Sequence, residues 1–302
     1  MIETYREKPL DYEKVTENIV NGIKSYVDGN GLKCVVLGLS GGIDSTVCAA
    51  LCKLANVPLI GISLPCSTNK ADEKSAATVA GEEFCDAFKE VNLENMSHAI
   101  KNFCDHRISE KESTPISQGN IKARLRMLVL YDIASKSNGI VIDTDNLTEH
   151  FLGFFTLHGD QGDLNPIGGL WKHEVYELAR YLKKEVYKES KALEQSIALI
   201  PTDGNGVKEG GDLAQIAPGK TYDDVDEILT SWVGIDERIK KKIIELDFDY
   251  GVFKYLNEKH GKDIVKMVIM RCVNSEFKRK QAPFVIDIYR GLVCEKNGNI
   301  FV

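Results

Sequence analysis

The stretch Ser40-Gly41-Gly42-Ile43-Asp44-Ser45 places two glycines, two hydroxyls and a carboxylate side by side. It follows Lys33–Leu39, a short β-rich run suited to a strand buried on both faces, and precedes a helical stretch over about 45–56. Glycines let backbone N–H groups turn inward without Cβ clashes. A helix start adds unsatisfied N–H donors and a partial positive charge, and Ser40 and Ser45 can donate hydroxyls. Together these groups suit a pyrophosphate. The pattern is neither Gly-x-x-x-x-Gly-Lys-Ser/Thr nor Gly-x-Gly-x-x-Gly. A purely structural role is compatible with it, a tight turn with Asp44 or Ser45 as helix N-cap.

Further chemistry-bearing residues cluster downstream. Arg124 falls in Gly119-Asn120-Ile121-Lys122-Ala123-Arg124-Leu125-Arg126-Met127. Thr144 and Glu149 fall in Asp143-Thr144-Asp145-Asn146-Leu147-Thr148-Glu149, which is followed by Gly153-Phe154-Phe155-Thr156. Asp163 falls in Gly159-Asp160-Gln161-Gly162-Asp163-Leu164-Asn165-Pro166, and Lys172 ends Leu170-Trp171-Lys172. Asn146 and Glu149 also have the spacing of a capping box, so Glu149 could serve only to close a helix end. His150 and His158 have no metal-ligand spacing and read as solvent-facing or hydrogen-bonding histidines.

Ser-Gly-Gly-x-Asp-Ser resembles the signature of the PP-loop ATP pyrophosphatases. With the downstream segments, Thr221-Tyr222-Asp223-Asp224-Val225-Asp226 and Lys278-Arg279-Lys280-Gln281-Ala282-Pro283 included, the chain resembles the ammonia-dependent NAD synthetases over most of residues 11–280. That family adenylates the nicotinate carboxylate of deamido-NAD with ATP, releases pyrophosphate, and lets ammonia displace AMP.

The resemblance implies roles residue by residue. Gly38, Leu39, Ser40, Gly41, Gly42, Ile43, Asp44 and Ser45 match the ATP loop, and Thr144, Lys172 and Thr202 match ATP contacts. Asp44 and Lys172 would be the catalytic pair. Asp44 and Glu149 match ligands of Mg²⁺, whose hard character suits carboxylate oxygens. Arg124, Asp163 and Lys278 match contacts to deamido-NAD. A homodimer is implied as well. The chain departs from the family pattern at Leu157, where a lysine is usual, and at Phe277, where a histidine is usual. The loop Gly159–Asp163 is one residue shorter, and the residues after Thr202 differ. All these departures fall on the dinucleotide or flap side. The alternatives are a PP-loop amidotransferase or ligase acting on another carboxylate, and a non-catalytic nucleotide-binding module.

The elements that must position these residues alternate. A helix over 11–29 carries Val15, Ile19, Ile23 and Val27 at helical spacing. Strands are expected at Lys33–Leu39, Leu59–Leu64, Phe88–Leu93 and Gly139–Thr144. Helices are expected over 45–56, 70–87, 95–106, 119–137, from Leu147, and over 172–183. This predicts an α/β fold, a doubly wound parallel sheet, and the resemblance implies that it is of the adenine nucleotide α-hydrolase type. Ligands of such sheets collect beyond the strands' carboxyl ends. Residues 156–172 read as a loop that is either functional or disordered, and 201–221 as a Gly-rich mobile flap. The chain is expected to form one domain over 1–302. Its α/β core spans about 11–200, a helical C-terminal portion about 221–283, and a tail 284–302 closes a hairpin around Asn297-Gly298.

Composition bounds the function. The 302 residues are 43% hydrophobic and 27% charged, ordinary for a globular protein. A net charge of −7 argues against a general nucleic-acid binder. The polar N-terminus and the lack of a long apolar run predict a cytoplasmic protein without membrane contact. The length leaves no room for a glutaminase domain, so ammonia is the expected nitrogen source alongside ATP and deamido-NAD. The eight cysteines lack zinc spacing and read as reduced core residues, Cys48 and Cys52 among them.

Overall fold

The structure, a computed structural model, describes residues 10–66, 71–108, 111–199 and 211–280. Its elements run α1 (Tyr12–Gly29), β1 (Cys34–Gly38), α2 (Ile43–Leu54), β2 (Leu59–Ser63), α3 (Ala71–Phe84), β3 (Ala87–Glu90), α4 (Glu94–Arg107), α5 (Pro115–Ser137), β4 (Gly139–Ile142), α6 (Leu147–Leu152) and α7 (Lys172–Tyr181). A π-helical turn, Leu182–Val186, extends α7. Then follow α8 (Lys191–Ala198), α9 (Gly211–Ile216), α10 (Tyr222–Val233), α11 (Glu237–Glu245), α12 (Val252–His260), α13 (Lys262–Asn274) and α14 (Glu276–Arg279).

The four strands form one parallel sheet in the order β3-β2-β1-β4. Leu37 of β1 sits in register with Gly61 of β2 and Ile142 of β4. Side chains alternate across the pleat. Val35, Leu37 and Leu39 enter one core with Ile23, Val47, Leu51, Val175 and Leu178. Val36 enters the opposite face with Leu130, Ile133 and Ala134 of α5. The continuous apolar run of β1 is therefore a strand covered on both faces. Each such fully buried aliphatic side chain contributes about 1.5–3 kcal/mol. From β1 the chain winds outward through β2 and β3, then crosses back to add β4 on the other side. The carboxyl ends of β1 and β4 thus flank the switch point of the sheet, where a ligand crevice opens.

A second core lies beyond this sheet. Trp171 and Leu152 pack there with Val225, Ile228, Trp232, Phe253 and Val268. It joins the helices α10, α12 and α13 to the segment that carries Lys172.

The expected sheet and helices are present, with shifted ends. Helix α5 starts at Pro115, because the Thr114 hydroxyl caps the Ser117 N–H and proline suits the first helical position. Part of the expected flap is ordered as α9, so its glycines do not keep 211–216 out of a helix. Thr202, the remainder of that flap and the 284–302 hairpin lie outside the described residues. Cys48 and Cys52 are fully buried as expected. Burial pushes both thiols up, Cys52 to about 12, which keeps them unreactive.

Candidate active site

The loop leaves β1 at Gly38 and turns at Gly41, whose φ of 84° lies in the left-handed region. A Cβ there would sit 2.3 Å from the Glu73 carbonyl oxygen and 2.8 Å from the Ala77 nitrogen, so only glycine fits against α3. Gly42, not Asp44 or Ser45, is the N-cap of α2, and it offers no side-chain acceptor. The first N–H groups of α2 are therefore not claimed by a capping side chain, as an anion cradle requires. The Ser40 and Ser45 hydroxyls lie 3.1 Å apart, and Ser40 Oγ accepts from the Gly42 N–H. These contacts hold the turn closed from within.

Across the crevice, β4 hands over to α6. Asp143 braces the crossing by accepting from the N–H groups of Asp145 and Gly162. Asn146 caps α6, and its amide also donates to Asp44 Oδ1 at 3.0 Å. The capping box is present, yet Glu149 is not confined to it. One carboxylate oxygen accepts from the Asn146 N–H, and the other lies 3.0 Å from Lys172 Nζ. Lys172 also pairs with Asp44, so one ammonium joins the phosphate loop to α6.

Lys172 is 4% exposed. Burial alone would pull its pKa down. The Asp44 and Glu149 carboxylates and the Tyr222 ring environment outweigh that and hold the ammonium well above the ordinary lysine value. Two carboxylates converging on one buried cation form a hard-oxygen site. That donor set fits Mg²⁺, which takes one or two carboxylates and completes its shell with phosphate and water. No group of three or more His, Cys, Asp or Glu residues is arranged for metal binding among the described residues. His150 instead packs against Phe151 and Phe155.

A cleft of about 470 Å³ joins these pieces. Gly38, Leu39, Ser40, Gly42, Ile43, Asp44 and Ser45 line it, with Thr144, Glu149, Lys172 and Lys278. Gly41 faces α3 instead. Asp145, partly exposed in the wall, has its carboxyl pushed well above the usual range by burial and by Asp143, Glu149, Asp160 and Asp44 nearby. The wall sets Asp44, Asp145, Glu149 and Asp160 beside the cations Arg126, Lys172, Arg271 and Lys278. At the far end Lys278 donates to the Gly153 and Phe155 carbonyls at 2.7 and 2.6 Å, and burial lowers its pKa.

The structure does not bring Arg124 and Asp163 into this lining. Both are exposed. Arg124 donates to the Leu157 carbonyl at 3.1 Å. Asp163 accepts from the Tyr131 hydroxyl at 2.8 Å and from the Val141 N–H. They mark a seam between α5 and the 153–165 segment. Sequence reasoning missed the Asn146 contact to Asp44, because the capping-box spacing already accounted for that residue. It also missed Tyr222, whose ring centroid is 5.5 Å from Lys172 Nζ.

Comparison with known proteins bears on this arrangement. The NAD synthase family model matches residues 15–282. The NH3-dependent NAD(+) synthetase of Wolinella succinogenes is 30% identical over 275 residues, 89% of this chain and 94% of that protein. The solved NH3-dependent NAD synthetase of Campylobacter jejuni, in complex with the nitrate ion, superposes with a TM-score of 0.65 at 27% identity, covering 92% of this chain and all of that one. The NMN synthetase structure from Francisella tularensis has the same fold, with a TM-score of 0.72 at 23% identity over 93% of this chain and all of that one. A matching loop, sheet and sequence over nearly the whole length lead to one conclusion: the chain belongs to the NAD synthase family.

Proposed function

We propose that the chain amidates deamido-NAD to NAD with ammonia, through an adenylated nicotinate carboxylate, releasing AMP and pyrophosphate. The observation that carries this reading is the meeting of the phosphate loop with Lys172, Asp44 and Glu149 in one cleft. A carboxylate is a poor electrophile. One of its oxygens attacks the ATP α-phosphorus, and the bond to the pyrophosphate leaving group breaks. Ammonia then adds to the acyl carbon, a proton is lost, and AMP departs with the former carboxylate oxygen.

The chain's own residues make this possible electrostatically. Loop N–H groups and the α2 N-terminus receive the β- and γ-phosphates, and Lys172 offsets charge that grows on the leaving pyrophosphate. Mg²⁺ held by Asp44 and Glu149 would neutralise phosphate charge and so lessen repulsion with the incoming carboxylate. Thr144 borders the nucleotide from the end of β4, and Thr202 is its proposed partner from the flap. Lys278, Arg124 and Asp163 are the proposed contacts to deamido-NAD. Arg124 and Asp163 lie outside the cleft lining, so they suit the distal part of a long substrate rather than its reacting end.

The reading extends to assembly and compartment. Met96, Ile100 and Phe103 on α4 and Ile116 and Leu128 on α5 are exposed on two packed helices, which supports a homodimer through this face. The second core shares Trp171 with the site segment, which supports a single working domain. The described cysteines are free thiols and no described helix is long and apolar enough to cross a membrane, which accords with a cytoplasmic protein.

The adenylation step is tested with deamido-NAD labelled with ¹⁸O in its nicotinate carboxylate. One labelled oxygen is expected in AMP for each NAD formed. Unlabelled AMP alongside labelled NAD would contradict the acyl-adenylate.

A further inference from the structure

We propose that Asp226, acting through Thr148 and His173, is a positioning residue that sets the place of Lys172 in the site; this rests on the reading of Lys172 given above. Helix α7 begins at Lys172, and its N-cap is Trp171, which has no side-chain acceptor. The tryptophan is committed to the second core, stacked 5.6 Å from Phe151. The Trp171 N–H goes to Glu174 of α7 itself, and the next two N–H groups, of Lys172 and His173, must find acceptors elsewhere.

They find them on two other helices. The Lys172 N–H donates to the Thr148 hydroxyl at 2.8 Å, and the His173 N–H donates to Asp226 Oδ2 at 3.0 Å. The Thr148 hydroxyl in turn donates to Asp226 Oδ1, and His173 Nδ1 lies 2.8 Å from Oδ2. A hydroxyl has one proton, so giving it to Asp226 turns the Thr148 lone pairs toward Lys172. The chain of donors thus has one sense, from Lys172 through Thr148 to Asp226. Both Thr148 and Asp226 are wholly buried.

A buried carboxylate is costly to desolvate. Here donors from the helix start surround it, where an anion also meets the positive end of the helix dipole. Ordinary capping would need only a serine or aspartate at position 171. Capping from α6 and α10 does something else as well, because Thr148 immediately precedes Glu149 on α6. The same short helix then fixes the Lys172 backbone through Thr148 and its ammonium through Glu149. Tyr222, on the first turn of α10, has its ring centroid 5.5 Å from the ammonium. The lysine is held at both ends, and a displacement of about 1 Å at a reacting centre can cost on the order of 10²-fold in rate.

The test compares Thr148→Val, which keeps shape and loses the hydroxyl, with Thr148→Ser, which keeps the hydroxyl, and with Asp226→Asn. Thr148→Val and Asp226→Asn should lower kcat roughly 10- to 100-fold, with KM for ATP and deamido-NAD within about threefold of wild type. Thr148→Ser should recover most of the loss. A second readout does not depend on turnover. In protein carrying ¹⁵N-lysine, the Lys172 ammonium signal should be protected from solvent exchange in wild type and Thr148→Ser, and lose that protection in Thr148→Val. Should Thr148→Val fail to fold, His173→Phe interrupts the same network at its partly exposed end and should show the same fall in kcat. Unchanged kcat and unchanged ammonium protection in these variants, or a loss confined to KM, would overturn the positioning role. Wild-type protein that makes no NAD would instead count against the proposed function, while the ammonium signal would still decide this inference.

Discussion

Lys172 is the residue on which the site turns. Its ammonium is buried between Asp44 and Glu149 and keeps its proton because of them. Lys172→Met should lower kcat on the order of 10²–10³-fold, the usual effect of removing one group that stabilises transition-state charge. A variant within threefold of wild type would remove Lys172 from the chemistry. Asp145 makes a separate prediction. Its raised pKa means that the folded protein binds this proton more tightly than the unfolded chain. Stability is therefore lost as pH rises from the ordinary carboxylate range through the raised value. Asp145→Asn should gain in melting temperature over wild type as pH rises above the ordinary carboxylate range, and the difference should shrink toward about pH 4. A gain independent of pH would contradict the burial argument. Arg124 lies outside the cleft and should show the opposite pattern from Lys172. Arg124→Ala should raise KM for deamido-NAD by about tenfold, the weight of one charge-assisted hydrogen bond, and leave KM for ATP unchanged. A shifted ATP KM instead would place Arg124 on the nucleotide.

At the scale of elements, the phosphate loop works because α3 and α2 leave it no alternative path. Gly41→Ala places a methyl group against the Glu73 carbonyl and forces a positive φ on alanine. It should cost about 1–3 kcal/mol in stability and weaken ATP binding by at least tenfold, measured by thermal melting and calorimetry. Normal ATP affinity would mean that the loop tolerates another shape. The strand–loop–helix order was legible in the sequence because β1 is an unbroken apolar run and Gly-Gly follows it directly. Glu149 was legible twice over, as a cap and as a site carboxylate, and the structure shows both roles on different oxygens. Position was not legible where it depends on distant partners. Asp226 caps a helix 53 residues away in sequence, so no local spacing announces it. The start of α5 was missed for a different reason: Thr114-Pro115 carries the signal, but the apolar side of the helix begins several residues later.

At the scale of the molecule, the sheet's switch point gathers the nucleotide end of the site, and the α5 seam carries the residues matched to the dinucleotide. Leu128, exposed on α5, lies one helical turn from Arg124, so the proposed dimer face adjoins the residues matched to the dinucleotide. Phe103→Glu should shift the protein from dimer to monomer in sedimentation equilibrium and raise KM for deamido-NAD. A wild-type monomer would refute the proposed assembly. The departures from the family pattern are Leu157, at this seam, and Phe277, on α14. The Leu157 carbonyl holds Arg124, and Phe277 is 63% exposed. On the proposed assignment of contacts they concern the grip on the dinucleotide, not the ATP loop. One assay follows the overall reaction directly. Purified protein is incubated with ATP, Mg²⁺, ammonia and deamido-NAD, and NAD, AMP and pyrophosphate are followed together. Equal amounts of all three are predicted, with none formed by Asp44→Ala. Folded wild-type protein that forms no NAD, or that forms ADP and phosphate in place of AMP and pyrophosphate, would contradict the account.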